Sequence, residues 1–215
     1  MKPTLHNLRL IVENDPWTRK VPAYNEFTQE IVQRGSPGVK SPRRAKAAKA
    51  TLQLSGSSWS IRDRVNGDFW TEDKDNAIRA LLEAPETQGG YGIKIPDRDL
   101  RAAIDIAGRE NCFHPVRNYL SELVWDGRDR VETLFIDYLG APDDAYHRHV
   151  ARIMLVAAVT RVHEPGHKFD TAVILEGLQG KRKSTFISTL AKNWFVELDG
   201  DVADTKQMVE LMQGA

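Results

Sequence analysis

The chain has 215 residues, 41 % hydrophobic and 28 % charged, with thirty basic and thirty acidic side chains and no formal net charge. This is globular composition, sufficient for one or two cores, and it excludes a global polyanion-binding surface, so any contact with nucleic acid must be local. The single Cys112 excludes an intramolecular disulfide, no apolar run approaches the roughly 20 residues of a membrane span, and the first residues lack a secretory apolar core, so the expected compartment is the reducing cytoplasm.

Residues 1–33 read as an N-terminal segment of small α/β or helical type, with Leu8-Arg-Leu-Ile-Val12, a turn at Asn14-Asp15-Pro16, and a stretch from Tyr24 to Val32. Residues 34–59 read as a basic flexible linker. From Arg34 to Lys49 this segment holds six cations and no acid, with glycine, proline and serine in its first half. Arg43, Arg44, Lys46 and Lys49 are its candidate DNA-touching cations; the plainer reading is a solvated linker.

A helical domain is expected over 60–168. Thr71 is placed to cap its first helix, with Glu72 and Asp73 in the first turn, where the helix dipole favours acids. Ile78, Leu81 and Leu82 form the buried stripe of that helix, and Pro85 ends it. Asp97 is expected to cap the next, with the stripe Leu100, Ala103, Ile104 and Ala107, closed by Gly108. Pro115 suits a first helical position ahead of Val116, Tyr119, Leu120 and Leu123. Trp125-Asp-Gly127 turns the chain, and Val131, Leu134, Phe135 and Tyr138 repeat the helical spacing until Gly140 and Pro142 stop it. The longest helix, about Asp144 to Val162, is apolar nearly all round from Ile153 to Val159, which predicts burial.

The segment Thr171-Ala-Val-Ile-Leu-Glu-Gly-Leu-Gln-Gly-Lys-Arg-Lys-Ser-Thr-Phe186 carries the chemistry. A β-branched run, Val173-Ile174-Leu175, predicts a strand; a glycine-bearing loop follows, and Ser184 to Lys192 has helical spacing. Strand, loop, Lys-Ser-Thr and helix is the order of a phosphate-binding P-loop, in which backbone N–H groups and the positive helix end cradle phosphate oxygens. The candidate nucleotide-binding residues are Gly177, Leu178, Gln179, Gly180, Lys181, Arg182, Lys183, Ser184 and Thr185. Lys183 is the candidate catalytic residue, reaching the β- and γ-phosphates, and the Ser184 hydroxyl is the candidate ligand of a magnesium ion carried by ATP. The pattern G-x-x-x-x-G-K-[ST] is met at Gly177, Lys183 and Ser184, while its second glycine is Arg182. If that position needs a positive φ, the side chain costs roughly 1 kcal/mol. The bland alternative is a solvated basic turn at Lys181-Arg182-Lys183. Beyond the loop, Trp194-Phe-Val-Glu-Leu-Asp199 is too short an apolar run for a magnesium-binding strand, and Thr205 to Met212 reads as a short helix. Residues 169–215 are therefore expected to be an incomplete P-loop NTPase domain. The fold class is α+β to α/β: a mainly helical N-terminal domain followed by the start of a P-loop NTPase (α/β) domain.

Asn111-Cys-Phe-His-Pro-Val-Arg-Asn-Tyr-Leu120, Val124-Trp-Asp-Gly-Arg-Asp-Arg130, Asp137-Tyr-Leu-Gly140, Glu164-Pro-Gly-His-Lys-Phe-Asp170 and the P-loop occur in one collinear order, with Asn25-Glu-Phe27 near the start. This succession resembles the virulence-associated protein E family of phage, prophage and pathogenicity-island replication proteins, most specifically over 111–186. The resemblance implies a helicase-type P-loop ATPase using ATP and magnesium in a bacterial host. It also implies single-stranded or forked DNA as partner, a primase or other replication proteins alongside, and a homo-oligomeric ring in full-length relatives. The family's P-loop falls on Gly177, Gln179, Gly180, Lys183 and Ser184, with Arg182 where a glycine is usual. Its next element, a strand with catalytic acids, is expected past Ala215.

Other constellations carry less. His147 with His149, or His163 with His167, has two-ligand spacing without a four-ligand zinc pattern, so hydrogen-bonded or surface histidines are expected. Cys112 reads as a buried thiol, His114 as capping or packing at a helix start, Trp125 as core or turn packing, and Arg148, Arg152 and Arg161 as surface or ion-paired. Two other classes compete with the ATPase. One is a non-enzymatic DNA-binding or assembly module with a vestigial P-loop. The other is a small-substrate P-loop kinase.

Overall fold

The computed structural model describes residues 4–34 and 67–197. It is mixed α and β, with a small antiparallel sheet and a majority of helix. Two compact units divide it, Met1–Pro115 and Val116–Ala215. The expected helical domain 60–168 falls across the boundary between them.

In the first unit, α1 (Leu5–Asn14) starts where Thr4 Oγ1 accepts the Asn7 N–H at 3.3 Å, and it buries Leu8, Ile11 and Val12. The turn at 14–16 holds because Asp15 Oδ1 accepts the Trp17 N–H at 2.8 Å. Tyr24 to Val32 is a hairpin. β1 (Pro22–Asn25) and β2 (Glu30–Gln33) pair antiparallel from Pro22↔Gln33 to Asn25↔Glu30, and β3 (Asp68–Phe69) joins the outer side of β2. Asn25, fully buried, shapes the connection by accepting the N–H groups of Phe27 and Thr28 on its side-chain oxygen.

α2 (Glu72–Glu83) and α3 (Asp97–Glu110) complete this unit. Thr71 stands at the N-cap of α2 without a side-chain cap bond, and the helix stops one residue before Ala84-Pro85. Leu8, Val12, Leu82, Leu100 and Ala103 are fully buried together, with Ile78 and Ile104 beside them. Each large aliphatic side chain so buried stabilises by about 1.5–3 kcal/mol. A polar lattice ties the elements at the rim: Asp75 accepts from Trp70 Nε1 (2.8 Å) and Arg101 Nε (3.2 Å), while Lys74 pairs with Asp68 at 2.7 Å.

Two expectations are corrected here. Asp97 is the first helical residue, behind Pro96 at the N-cap, and serves the dipole rather than capping a backbone N–H. Gly108 does not close α3, which runs on to Glu110 and is finished by Asn111, whose Nδ2 donates to the Ala107 carbonyl at 3.1 Å. Gly108 serves a close approach instead: a Cβ there would lie 2.5 Å from Ile31 Cδ1 on β2.

In the second unit, α4 (Pro115–Glu122) opens on its proline, and α5 (Leu134–Leu139) ends at Gly140 in a left-handed conformation (φ 68°). α6 (Ala145–His163) is capped by Asp144, which accepts the His147 N–H at 2.9 Å. α7 spans Lys183–Ala191, followed by a single 3₁₀ turn, Lys192–Trp194. Leu134, Phe135 and Ala151 form the buried centre, with Val150, Met154, Leu155, Val173, Leu175 and Phe186 packed against it.

Burial of α6 all round is not found. Its residues 150, 151, 154 and 155 face that cluster, but Ile153, Val156 and Val159 remain 38 %, 53 % and 44 % exposed. Helical apolarity on every side demands partners on every side, and only one side has them among the described residues. Nor is Val173-Ile174-Leu175 a strand. The segment has strand-like alternation, with Val173 and Leu175 inward and Ile174 outward at 79 % exposure. Its backbone meets no ladder partner among the described residues, and alternation alone does not make a sheet.

Candidate functional site

The loop between Leu175 and α7 makes three left-handed bends. Gly177 has φ 152°, Gly180 φ 80°, and Arg182, at the N-cap of α7, φ 57° and ψ 31°. Arg182 is thus a non-glycine residue in the conformation that disfavours side chains, and its position does require the positive φ. Glycine is needed at 180 for the same reason, with open space where a Cβ would sit. After Arg182 the helix begins at once, so the N–H groups of its first turn point out of the coil and its dipole adds positive potential there.

Lys183 bends back over the loop. Its Nζ donates to the carbonyls of Gly177 (2.9 Å) and Leu178 (3.1 Å), which holds an ammonium across the concavity of the turn. Ser184 and Thr185 follow in the first turn and are exposed. The Thr185 carbonyl accepts the hydroxyls of Ser188 (3.0 Å) and Thr189 (2.7 Å). The donor set therefore fits a polyphosphate: amides at a helix start, an ammonium on the loop, and three successive cations at 181–183. Ser184 offers one hard oxygen for a magnesium ion held mainly by phosphates. Among the described residues no group of three or more His, Cys, Asp or Glu could hold a metal by itself.

α7 is anchored by contacts that motif reading did not find. Phe186 lies 6.1 Å from Phe135 between ring centroids, fixing the helix start on α5. At the other end Trp194 lies 5.7 Å from Tyr119, and Lys192 Nζ sits 4.1 Å above the Tyr119 ring. Apolar spacing places Tyr119 and Phe135 on helical stripes, but the sequence gives no signal for which ring meets which, nor for Trp194 and Lys192 closing on Tyr119.

The remaining candidates are placed as follows. Arg43, Arg44, Lys46 and Lys49 lie outside the described residues, as do most of 34–59 and the expected helix Thr205 to Met212. His147 Nδ1 sits 2.8 Å from Asp144 and His167 Nδ1 3.0 Å from Glu164. Arg148 pairs with Asp143 and Arg152 with Glu132. Cys112 is exposed, not buried. Trp125 is a turn residue but not core: it is 78 % exposed and its Nε1 donates to the Arg128 carbonyl at 3.3 Å.

In the first unit, two segments that carry the family resemblance converge although some 85 residues separate them. Asn25 bridges to Phe113 in parallel, and Glu26 donates its N–H to the Phe113 carbonyl at 2.9 Å. His114, 8 % exposed, packs its ring 5.7 Å from Phe27.

No curated protein matches the chain. The model of the virulence-associated protein E-like domain matches residues 120–215, a span that contains the Val124–Arg130, Asp137–Gly140 and Glu164–Asp170 segments and the loop at 177–185. Residues 120–215 are therefore similar to the virulence-associated protein E-like domain, which links this region to proteins associated with phages and mobile elements.

Proposed function

We propose that Gly177–Thr185 binds the polyphosphate of ATP together with magnesium, within a helicase-type replication protein of a mobile element that acts on DNA alongside a primase or other replication proteins. The observation that supports this most is the Lys183 ammonium resting on the Gly177 and Leu178 carbonyls, beside the left-handed bends at Gly180 and Arg182. An ammonium bonded only to neutral carbonyls gains by exchanging them for phosphate oxygens, because an anionic acceptor adds charge–charge attraction to the hydrogen bond. The loop amides and the start of α7 receive the remaining phosphate oxygens, and Lys181 and Arg182 add positive charge nearby. Ser184 holds magnesium through its hydroxyl. Bound magnesium supplies neutralisation of charge on the β- and γ-phosphates. Hydrolysis needs in addition an acid that positions water, so the activity proposed for these residues is binding, with weak affinity and negligible turnover.

Titration of the chain with a fluorescent ATP analogue in the presence of magnesium tests this. Lys183→Ala is expected to raise Kd at least about tenfold, the loss of one charge-assisted contact. Equal affinity of the two proteins would refute the reading. A second reading, a DNA-binding or assembly module with a vestigial loop, is favoured by one observation, the strained Arg182 where the family has glycine. Salt-dependent DNA binding indifferent to both Lys183→Ala and ATP is the result that would select it.

A further inference from the structure

Arg182 is the one residue of the loop that departs from the glycine pattern, and its backbone keeps the glycine bend. It holds φ 57° and ψ 31° at the N-cap of α7. An L side chain is disfavoured there, whereas glycine adopts the same bend without strain. The bend therefore does not account for the arginine. Residues kept in such conformations concentrate at ligand clamps and switches, where the side chain has a partner.

That partner is not supplied by the described residues. Arg130, Arg148 and Arg152 of the same unit are ion-paired with Asp126, Asp143 and Glu132. Arg182 is exposed and has neither an ion pair nor a side-chain hydrogen bond among the described residues. The nearest acid in sequence, Glu176, is exposed before Gly177 and does not pair with it. From Glu176 to Thr185 there are three cations and one acid, a net charge of 3 − 1 = +2. The neighbouring Lys183 already lays its ammonium across the turn, on the carbonyls of Gly177 and Leu178. An uncompensated guanidinium thus stands one residue from an ammonium that is held over the concavity of the loop.

We infer that Arg182 is a phosphate-contacting residue, its guanidinium joining the Lys183 ammonium on the polyphosphate of bound ATP. The inference rests on the reading of Gly177–Thr185 as an ATP site and gives that site a contact which a glycine does not supply. Because the bend is kept, the backbone N–H of residue 182 stays where a glycine's would be. The side chain adds a planar fork of donors that matches phosphate oxygens bidentately, which an ammonium does not. No internal ion pair has to break for it to do so. The contact lies at the surface, so it is screened by salt and weaker than a buried one. On this account the exchange of glycine for arginine trades backbone strain for a charged contact, and the loop is not vestigial.

Titration of the full chain with a fluorescent ATP analogue and magnesium, over a series of salt concentrations, tests this with three variants. Arg182→Gln keeps a side chain in the strained bend without charge, and Arg182→Gly relieves the strain without charge. Arg182→Lys keeps the charge without the planar fork. The glutamine and glycine variants are each expected to raise Kd at least about fivefold at low salt, the loss of one screened charge-assisted contact. The lysine variant is expected to lie between wild type and glutamine. The gap between wild type and Arg182→Gln is expected to narrow as salt is added, which a purely conformational role would not produce. A glutamine or glycine variant that binds like wild type, a lysine variant no better than glutamine, or a gap indifferent to salt would each overturn the role of Arg182. Where Lys183→Ala still weakens binding, those results leave the ATP site standing; where Lys183→Ala binds like wild type, the site and the role of Arg182 fall together.

Discussion

Arg182 occupies the left-handed N-cap of α7, at φ 57°, where an L side chain is disfavoured by roughly 1 kcal/mol. The sequence shows the substitution plainly, because the motif's second glycine is absent, but only the backbone reveals that the conformation is kept. Gly180, at φ 80° with open space about it, has the same requirement without the penalty. The two positions therefore respond differently. Gly180→Ala is expected to destabilise the second unit by about 1 kcal/mol, purely through backbone strain. Arg182→Gly removes strain of similar size but adds freedom to the unfolded chain, so the two cancel and no net change in stability is expected. Urea denaturation of each variant measures both. If Arg182→Gly lost as much stability as Gly180→Ala, the arginine side chain rather than the bend would be holding the loop.

Among elements, those with one apolar stripe were legible and those with more or less than one were not. α3 has its stripe at Leu100, Ala103, Ile104 and Ala107, and all four are buried. α6 is apolar on every side from Ile153 to Val159, so periodicity does not say which side packs, and it predicts burial for a side that is exposed. Val173-Ile174-Leu175 has strand alternation, but a ladder partner is not encoded in the segment itself. Gly108 shows the limit at helix ends: a glycine near a terminus reads as a cap, whereas here it lets α3 approach β2 at Ile31. Replacing it separates these roles. In Gly108→Ala the added Cβ clashes only with the terminal Cδ1 of Ile31, at 2.5 Å, its other neighbours Ile31 Cγ2 and Ala23 C lying at ordinary contact distance (3.6 and 3.7 Å). The variant also gains helix propensity, so it is expected to be nearly neutral in stability. Gly108→Leu overpacks the same space and is expected to cost about 1–3 kcal/mol in chemical denaturation. A well-tolerated leucine would show that the helix–strand approach is looser than the geometry implies.

At the scale of the molecule each compact unit has a core of its own, the cluster around Leu8, Leu82 and Leu100 in the first and that around Leu134, Phe135 and Ala151 in the second. The match to the family model falls within the second unit, and the division after Pro115 was hidden because the proline reads as an ordinary helix start in a series of similar helices. The division has a consequence for function. Leu100 is fully buried in the first core, and Leu100→Ala is expected to cost about 2–5 kcal/mol there. Phe135, 4 % exposed, supports Phe186 in the first turns of α7, and Phe135→Ala is expected to cost about 3–5 kcal/mol in the second core. Both variants lower thermal stability, but only the second loosens the helix that presents Lys183 and Ser184. At a temperature where both remain folded, ATP-analogue affinity is therefore expected to stay within about twofold of wild type for Leu100→Ala and to fall at least about fivefold for Phe135→Ala, the equivalent of about 1 kcal/mol of lost organisation. Equal losses in the two variants would mean that the loop depends on the whole molecule rather than on the unit that carries it.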